Sequence, residues 1–518
     1  MSWKDEAEEI ARRRELAREH GGPEAVTRQH EAGRLAVRER IGALVDKGSF
    51  QELGAVAGSA ETDAEGRTAR FTPTNVVMGV ARVDGRPVVV GGDDFTVGGG
   101  AYTEGAIKKG LAIDQLAVRR RIPLVRLLEG GGASVRGAAG TRGRSGYDFT
   151  APSPLNLLCM EALATVPVAC AALGPVAGFP AARLVASHFS IMTAKTSQVL
   201  IGGPALVQRA LGVRASKDEL GGAEVHSKSG VVDNVAEDEA DVWRQIRTFL
   251  SYLPSNCWEP PPVAACSDPR SRAEEELLSI VPRNRRRAYK MRRVIELVVD
   301  SGSFFELAPR FGRSQITGLA RVAGHPVGVL ANDCFQAGGS MTADGARKVR
   351  RFAELCDTFH LPVVSFVDEP GFMIGPEAER AATIRHGMEA MFAVLQTSVP
   401  WFAVLVRKAF GVAAGIHLGP SGTVLAWPSA EAGALPVESG VALAFRREIE
   451  QAPDPDARRR ELEDEMAAAQ SIFPRAEDFG VHDLIDPRET RPRLCDWIDE
   501  IQAQLRQLSG PRRYTSRP

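Results

Sequence analysis

The sequence predicts an α/β protein made of two tandem copies of one domain, each with stacked β-sheets and flanking helices. Three observations carry that reading. Five short motifs recur in the same order in both halves, each half alternates buried-strand runs with helical periodicity, and a proline-rich stretch separates the halves.

The repeats come first, because a missed repeat mis-assigns a whole fold. Asp46-Lys-Gly-Ser-Phe50-Gln-Glu-Leu53 returns as Asp300-Ser-Gly-Ser-Phe304-Phe-Glu-Leu307. Gly79-Val-Ala-Arg82-Val-Asp-Gly85-Arg-Pro87-Val88 returns as Gly318-Leu-Ala-Arg321-Val-Ala-Gly324-His-Pro326-Val327. Gly105-Ala-Ile-Lys108 pairs with Gly345-Ala-Arg-Lys348, Ile122-Pro123-Leu-Val125 with Leu361-Pro362-Val-Val364, and Gly230-Val-Val-Asp233 with Gly480-Val-His-Asp483. Chance repeats one such motif, not five in register. The reading divides the chain into an N-terminal helical extension at 1–24, a first domain at 25–258 and a second at 270–508. Leu253-Pro-Ser-Asn-Cys-Trp-Glu-Pro-Pro-Pro262 serves as the linker.

Within the first half, residues 76–83 and 87–90 read as two strands across an Asp84-Gly85 turn, a strong hairpin signal. Residues 104–120 carry Ile107, Leu111, Ile113, Leu116 and Val118 at helical spacing. Residues 122–128 form a buried-strand run that ends in Glu129-Gly-Gly-Gly132. The second half repeats these elements at 315–322, 326–330, 342–359 and 361–367, ending in Asp368-Glu-Pro-Gly371.

Composition narrows the function classes. Sixty-four basic against 65 acidic side chains leave a net charge of −1 over 518 residues. That balance excludes a generally basic, phosphate-tracking nucleic-acid binder and gives no net attraction to an anionic membrane. The seven cysteines form no CxxC pair and no zinc-spaced cluster, so a reducing compartment, the cytoplasm, and no metal site are expected. The uncharged run 162–182 is broken by Pro167, Gly174, Pro175, Gly178 and Pro180, which reads as strand and loop in a soluble core.

The chemistry points to glycine turns. Each half places two directly after buried strands: Glu129-Gly-Gly-Gly132-Ala133 and Gly174-Pro-Val-Ala-Gly178-Phe179, then Asp368-Glu-Pro-Gly371-Phe372 and Arg407-Lys-Ala-Phe-Gly411-Val412. Gly178 and Gly411 follow Val166-Pro167 and Val399-Pro400 at equal distance, so they are equivalent positions. Glycine lets backbone approach a ligand, and free N–H groups at a helix start point outward. Two such groups converging on one thioester oxygen would stabilise an enolate. The plainer alternative is that these glycines only permit turns and close packing.

Further residues carry a resemblance. Gly33-Arg34-Leu35 runs through Arg38-Glu-Arg-Ile41, and Asp94-Phe-Thr-Val97-Gly-Gly99 and Glu219-Leu-Gly-Gly-Ala223 follow, with His226 and Ser229-Gly-Val231. Phe366-Val-Asp368, Pro370-Gly-Phe372, Ile384-Arg-His-Gly387, Arg407-Lys-Ala409 and Ala426-Trp-Pro428 stand in the second half. Together these make the chain, over about residues 25–505, resemble the carboxyltransferase (beta) subunit of biotin-dependent acyl-CoA carboxylases of the propionyl-CoA and methylcrotonyl-CoA type.

The resemblance implies two domains of the ClpP/crotonase superfamily and an oligomer, a hexamer, with sites between the N-half of one subunit and the C-half of another. It implies that the N-half binds acyl-CoA and the C-half binds carboxybiotin on a separate carrier subunit, charged by a biotin carboxylase. No Met-Lys-Met attachment site and no Walker loop occur in this chain. In the reaction the resemblance implies, CO2 leaves carboxybiotin, the biotin enolate takes the α-proton, and the thioester enolate attacks CO2. The residues implied as catalytic are Gly132, Ala133, Gly178, Phe179, Gly371, Phe372, Gly411 and Val412. Gly98, Gly99, Gly100, Lys108 and Arg136 are implied on the acyl-CoA, with Lys109 and Arg119-Arg120-Arg121 as further phosphate candidates. Phe372, Val412, Ala413 and Gly415 are implied on biotin, and Gly415 aligns with the position that sets acyl specificity. His226 and His386 read as structural hydrogen-bonders.

The chain departs from the family pattern where Gly178-Phe179-Pro180 replaces two consecutive glycines and Gly411-Val412-Ala413-Ala414 replaces Gly-Gly-Ala and an aromatic. It also reads Gly130-Gly-Gly-Ala133-Ser134 at the usual Ser-Gly-Gly-Ala-Arg turn, and is about three residues shorter before Ala426. Phe179 and Val412 keep their N–H groups, but a positive φ there would be costly. Two alternatives follow: a biotin-independent decarboxylase of a malonyl-type acyl-CoA, and a non-catalytic acyl-CoA-binding homologue. A hydratase would need acid/base carboxylates, for which only Glu129, Asp368 and Glu369 sit at strand ends.

Overall fold

A computed structural model describes residues 2–64, 67–133 and 154–512. The chain forms two compact units that divide between Glu259 and Pro260. In the first, the main sheet runs in the order Gln51–Leu53, Val76–Val83, Arg86–Asp93, Leu124–Gly130, Val168–Ala177, Phe189–Thr193, Asn234–Ala236. The first three strands pair antiparallel and the rest parallel. In the second unit Phe305–Leu307, Gln315–Val322, His325–Asn332, Val363–Glu369, Trp401–Phe410, Thr423–Ala426 and Asp483–Leu484 repeat that order and those directions. The duplication read from sequence is thus a duplication of topology.

Local chemistry explains why the elements recur. Asp84 and Gly85 turn their hairpin with φ of 50° and 79°, and Ala323 and Gly324 turn the other with 49° and 84°. Two consecutive left-handed residues match the twist of paired strands. The Thr103 side chain caps the Glu104–Arg120 helix by accepting from the Ala106 N–H, and Thr342 caps Ala343–Thr358 through Gly345. These caps fix the helix register and correct one pairing. Lys109, not Lys108, is the counterpart of Lys348: Lys109 Nζ donates to the Val76 carbonyl at 2.7 Å and Lys348 Nζ to the Gln315 carbonyl at 2.8 Å. Motif spacing slipped by one residue because each helix carries its lysine in a run of basic and small residues.

Each unit has its own core. In the first, Val89, Leu124, Val168, Cys170 and Met192 pack with Ile113 and Ala117 of the Glu104–Arg120 helix. In the second, Val329, Val364, Phe366 and Val404 pack with Val294, Ile295, Trp427 and Leu494. Burying each aliphatic chain contributes about 1.5–3 kcal/mol.

Two irregularities place the site. The Leu124–Gly130 and Val363–Glu369 strands each bulge one residue before their ends, between Leu128 and Gly130 and between Val367 and Glu369. The longest strand of each unit then forks. Val168–Ala177 pairs with Phe189–Thr193 along its first half and with Gln198–Leu200 over its last three residues; Trp401–Phe410 does the same with Thr423–Ala426 and Glu431–Gly433. The bulge and the fork bring two strand-end turns together in each unit. No described helix is long and apolar enough to cross a membrane.

Candidate active site

In the first unit the turns meet at Gly132 and Gly178. Gly132 has φ +80° and Gly178 φ +66°, a region where a β-carbon is strained. Gly178 directly follows the long strand, and the Phe179–Val185 helix starts at the next residue with Pro180 in its first turn. The Phe179 N–H finds no acceptor among the described residues. A short strand, Gly132–Ala133, pairs parallel with Ala101–Tyr102, which follows the Gly98–Gly100 turn. That turn packs so closely that a β-carbon on Gly100 would lie 2.6 Å from the Glu129 carbonyl.

The second unit repeats the arrangement. Gly371 and Gly411 have φ +121° and +61°, and the Gly411–Ile416 helix follows. Met341 N–H donates to the Gly371 carbonyl at 3.0 Å and Met373 N–H to the Met341 carbonyl at 2.9 Å, which turns the intervening Phe372 N–H away from the bridge. Gly371 N–H is itself committed to Glu369 Oε1 at 3.0 Å. Among the described residues neither Phe372 N–H nor Val412 N–H has an acceptor. Ala133 occupies the position of Phe372 in the equivalent pairing with Tyr102.

The departures Phe179 and Val412 cost no backbone strain. The left-handed conformation falls on the preceding glycines, and both residues have negative φ. The Phe179 ring packs edge-on against Tyr102, with centroids 6.5 Å apart. Val412 is 58% exposed, Ala413 is fully buried, and a β-carbon on Gly415 would meet the Met391 methyl at 3.2 Å. Phe372 packs its ring over Gly387. The four residues expected on biotin therefore divide: Val412 faces out, Ala413 faces the core, and Phe372 and Gly415 face the Thr383–Leu395 helix.

Of the residues expected on acyl-CoA, Gly98 and Gly99 are exposed, Gly100 is buried against Glu129, and Lys108 is exposed on the helix. Lys109 is buried, and its burial pushes the ammonium down to about 8. Arg136 lies outside the described residues. Arg121 stacks its guanidinium over Trp258 at 3.9 Å. His226 Nε2 lies 2.7 Å from the Val199 carbonyl, and His386 Nδ1 3.1 Å from Glu389.

The strand-end carboxylates are all engaged. Glu129 accepts from Arg40 and from Gln29 Nε2. Asp368 accepts from Arg407 Nη2 at 2.8 Å, and Glu369 from backbone and Asn332. Motif reading missed the buried polar frame beneath the turns. Asp93 accepts the Tyr102 hydroxyl at 3.0 Å and the Glu129 N–H at 3.3 Å, and its burial raises its carboxyl to about 7. Asp114 accepts from Arg126 Nη2 at 2.9 Å and Arg183 Nη2 at 3.0 Å. Arg126 also donates to the Ala186 and Arg183 carbonyls at the end of the helix that Gly178 begins. A charged residue within the apolar run 122–128 was the signal for Arg126.

Known proteins resemble the chain in sequence and in fold. The family model described as the carboxyl transferase domain matches residues 28–512. The carboxyltransferase subunit of propionyl-CoA carboxylase from Haloferax mediterranei is 34% identical over 519 residues, 99% of this chain and 98% of that one. The alpha subunit of methylmalonyl-CoA decarboxylase from Propionigenium modestum is 32% identical over 507 residues, 97% of this chain and 96% of that one. The crystal structure of transcarboxylase 12S, a hexamer solved with methylmalonyl-coenzyme A and methylmalonic acid bound, superposes with a TM-score of 0.87 at 30% identity, covering 100% of this chain and 97% of that one. With its duplicated crotonase-like units and paired strand-end glycines, the chain belongs to the carboxyl transferase family.

Proposed function

We propose that the chain is the carboxyltransferase subunit of an acyl-CoA carboxylase, moving CO2 from carboxybiotin on a separate carrier to the α or vinylogous carbon of an acyl-CoA. The observation that carries this is the repeated backbone constellation: in each unit a positive-φ glycine directly follows the long strand and the next N–H has no acceptor among the described residues. In the first unit, 25–258, Ala133 and Phe179 N–H groups face the thioester oxygen and strengthen their hydrogen bonds as it becomes an enolate; such preorganised donors are each worth roughly 3–4 kcal/mol. Gly98, Gly99 and Lys108, with Arg136, serve the CoA. In the second unit, 270–508, the Phe372 and Val412 N–H groups suit the ureido oxygen of biotin, with exposed Val412 along its edge. Carboxybiotin supplies the CO2 and, after release, the base.

The protein works as a homo-oligomer, a hexamer like transcarboxylase 12S, in the cytoplasm, with a biotin carboxylase and biotin carrier as partners. A second reading is release of CO2 from a malonyl-type acyl-CoA without biotin; the methylmalonyl-CoA decarboxylase relative bears on the decarboxylation alone. One experiment separates them: incubation with malonyl- or methylmalonyl-CoA, with and without free biotin or its carrier. CO2 transfer that requires biotin supports the carboxyltransferase. Release without it selects the decarboxylase, and CoA binding without turnover leaves a non-catalytic homologue. Intact biotin-dependent activity in Gly411→Asp would remove the second-unit donor site.

A further inference from the structure

We propose that Glu369 and His417 are positioning residues that lock the two donor-bearing turns of the second unit to one another; their bearing on catalysis rests on the function proposed above. Glu369, His417 and Ser365 are all fully buried. Glu369 Oε1 accepts from the Gly371 N–H at 3.0 Å and the Met341 N–H at 3.1 Å, gripping the turn that carries the Phe372 N–H. Its other oxygen accepts from Asn332 Nδ2 at 3.0 Å and Gln315 Nε2 at 3.3 Å, and lies 3.4 Å from His417 Nε2. His417 directly ends the Gly411–Ile416 helix, whose first turn carries the Val412 N–H, and its Nδ1 lies 3.3 Å from Ser365 Oγ on the Val363–Glu369 strand. One carboxylate thus reaches both turns. An isolated buried carboxylate costs several kcal/mol, which charge-assisted donors at both oxygens offset.

The first unit lacks the device. By the shared bulge and the shared glycine turns, Glu369 corresponds to Gly130 and His417 to Leu184. There the buried strand-end carboxylate is Glu129, one residue earlier, and it points to Arg40 and Gln29. The Ser365–His417–Glu369 arrangement has the residue types of a nucleophilic triad, but its complete burial gives it a structural use. It sets the separation of two backbone donors, where a displacement of about 1 Å costs on the order of 100-fold in rate.

The test uses the full chain with Glu369→Gln, His417→Ala and His417→Gln. Glu369→Gln and His417→Ala are expected to lower kcat for biotin-dependent transfer about tenfold or more, with KM for acyl-CoA within about twofold. His417→Gln, whose amide can still donate to Glu369, restores kcat to within about threefold. Independently of activity, amide exchange followed by mass spectrometry in His417→Ala is expected to speed up about tenfold in a peptide covering 370–373 as well as in 411–418, with first-unit peptides unchanged as the control for folding. Acceleration confined to 411–418, or an unchanged kcat in both disruptive variants, overturns the proposal while leaving the carboxyltransferase reading intact. If the unsubstituted protein shows no biotin-dependent transfer, that reading fails and the exchange pattern alone decides the coupling.

Discussion

A β-carbon on Gly132 would lie 3.1 Å from the Ala177 carbonyl oxygen and 3.7 Å from the Phe179 nitrogen. The two turns of the first unit therefore meet backbone to backbone, and a side chain at Gly132 would press on the Ala177 carbonyl. Gly132→Ala adds both that contact and the strain of a positive φ, together about 1–3 kcal/mol. Moving the Phe179 donor is expected to lower kcat on acyl-CoA by about 100-fold or more while the protein still folds. At Gly131 a β-carbon would meet nothing within 4 Å, and φ is not positive, so Gly131→Ala is the matched control and keeps its kcat. Steady-state kinetics of the two variants checks this.

Asp93 makes stability depend on pH. Its carboxyl is held at about 7 by burial, against roughly 3.9 in an unfolded chain. Between those values the folded state keeps a proton that the unfolded state has released, so stability falls as pH rises from about 4 to 7. Asp93→Asn removes that loss, and Asn332 already fills the counterpart position, accepting the Asp368 N–H at 2.9 Å. The variant is expected to match the natural protein near pH 5 and to exceed it at pH 8 by up to about 3 kcal/mol, at about 1.4 kcal/mol per pKa unit. Urea unfolding at the two pH values reads this directly. An advantage that does not grow with pH contradicts it.

What motif reading recovers here is what local chemistry decides. Turn residues fixed the Asp84-Gly85 hairpin, periodicity fixed the helix over 104–120, and repeated glycines located all four strand-end turns. What it misses is set by partners far along the chain. Whether Phe179 or Gly178 takes the positive φ depends on where the strand ends, which the forked sheet decides. The Asp114–Arg126–Arg183 cluster joins a helix, a strand and a second helix, and no single segment reports it. The Lys108–Lys348 pairing slipped by one because register follows the threonine caps, not the motif spacing.

That arginine cluster supports the donor helix from below. Arg126 and Asp114 are buried at 1% and 0% exposure, so deleting Arg126 leaves the buried Asp114 with Arg183 alone. Arg126→Met is expected to destabilise the protein by about 3–5 kcal/mol. It also strips the Ala186 and Arg183 carbonyls of their donor, which loosens the Phe179–Val185 helix and lowers kcat more than it changes KM. Chemical denaturation and kinetics on the same sample test both effects. A variant that unfolds at the usual urea concentration would show the cluster to be dispensable.

Lys108 and Lys109 are neighbours in opposite settings, one exposed and one buried. Lys108 stands exposed on the helix surface, where its ammonium can meet a CoA phosphate. Lys108→Ala is therefore expected to raise KM for acyl-CoA about threefold to tenfold at low salt, less as salt screens the charge. Lys109 is committed to the Val76 carbonyl, so Lys109→Met leaves that KM unchanged. Its signature lies in stability. Burial lowers its ammonium to about 8, against roughly 10.4 unfolded, so between those values the unfolded chain binds the extra proton and stability rises with pH. Between pH 8 and pH 10 the natural protein is expected to gain on Lys109→Met by up to about 3 kcal/mol. Equal pH slopes in the two proteins would place the lysine charge elsewhere.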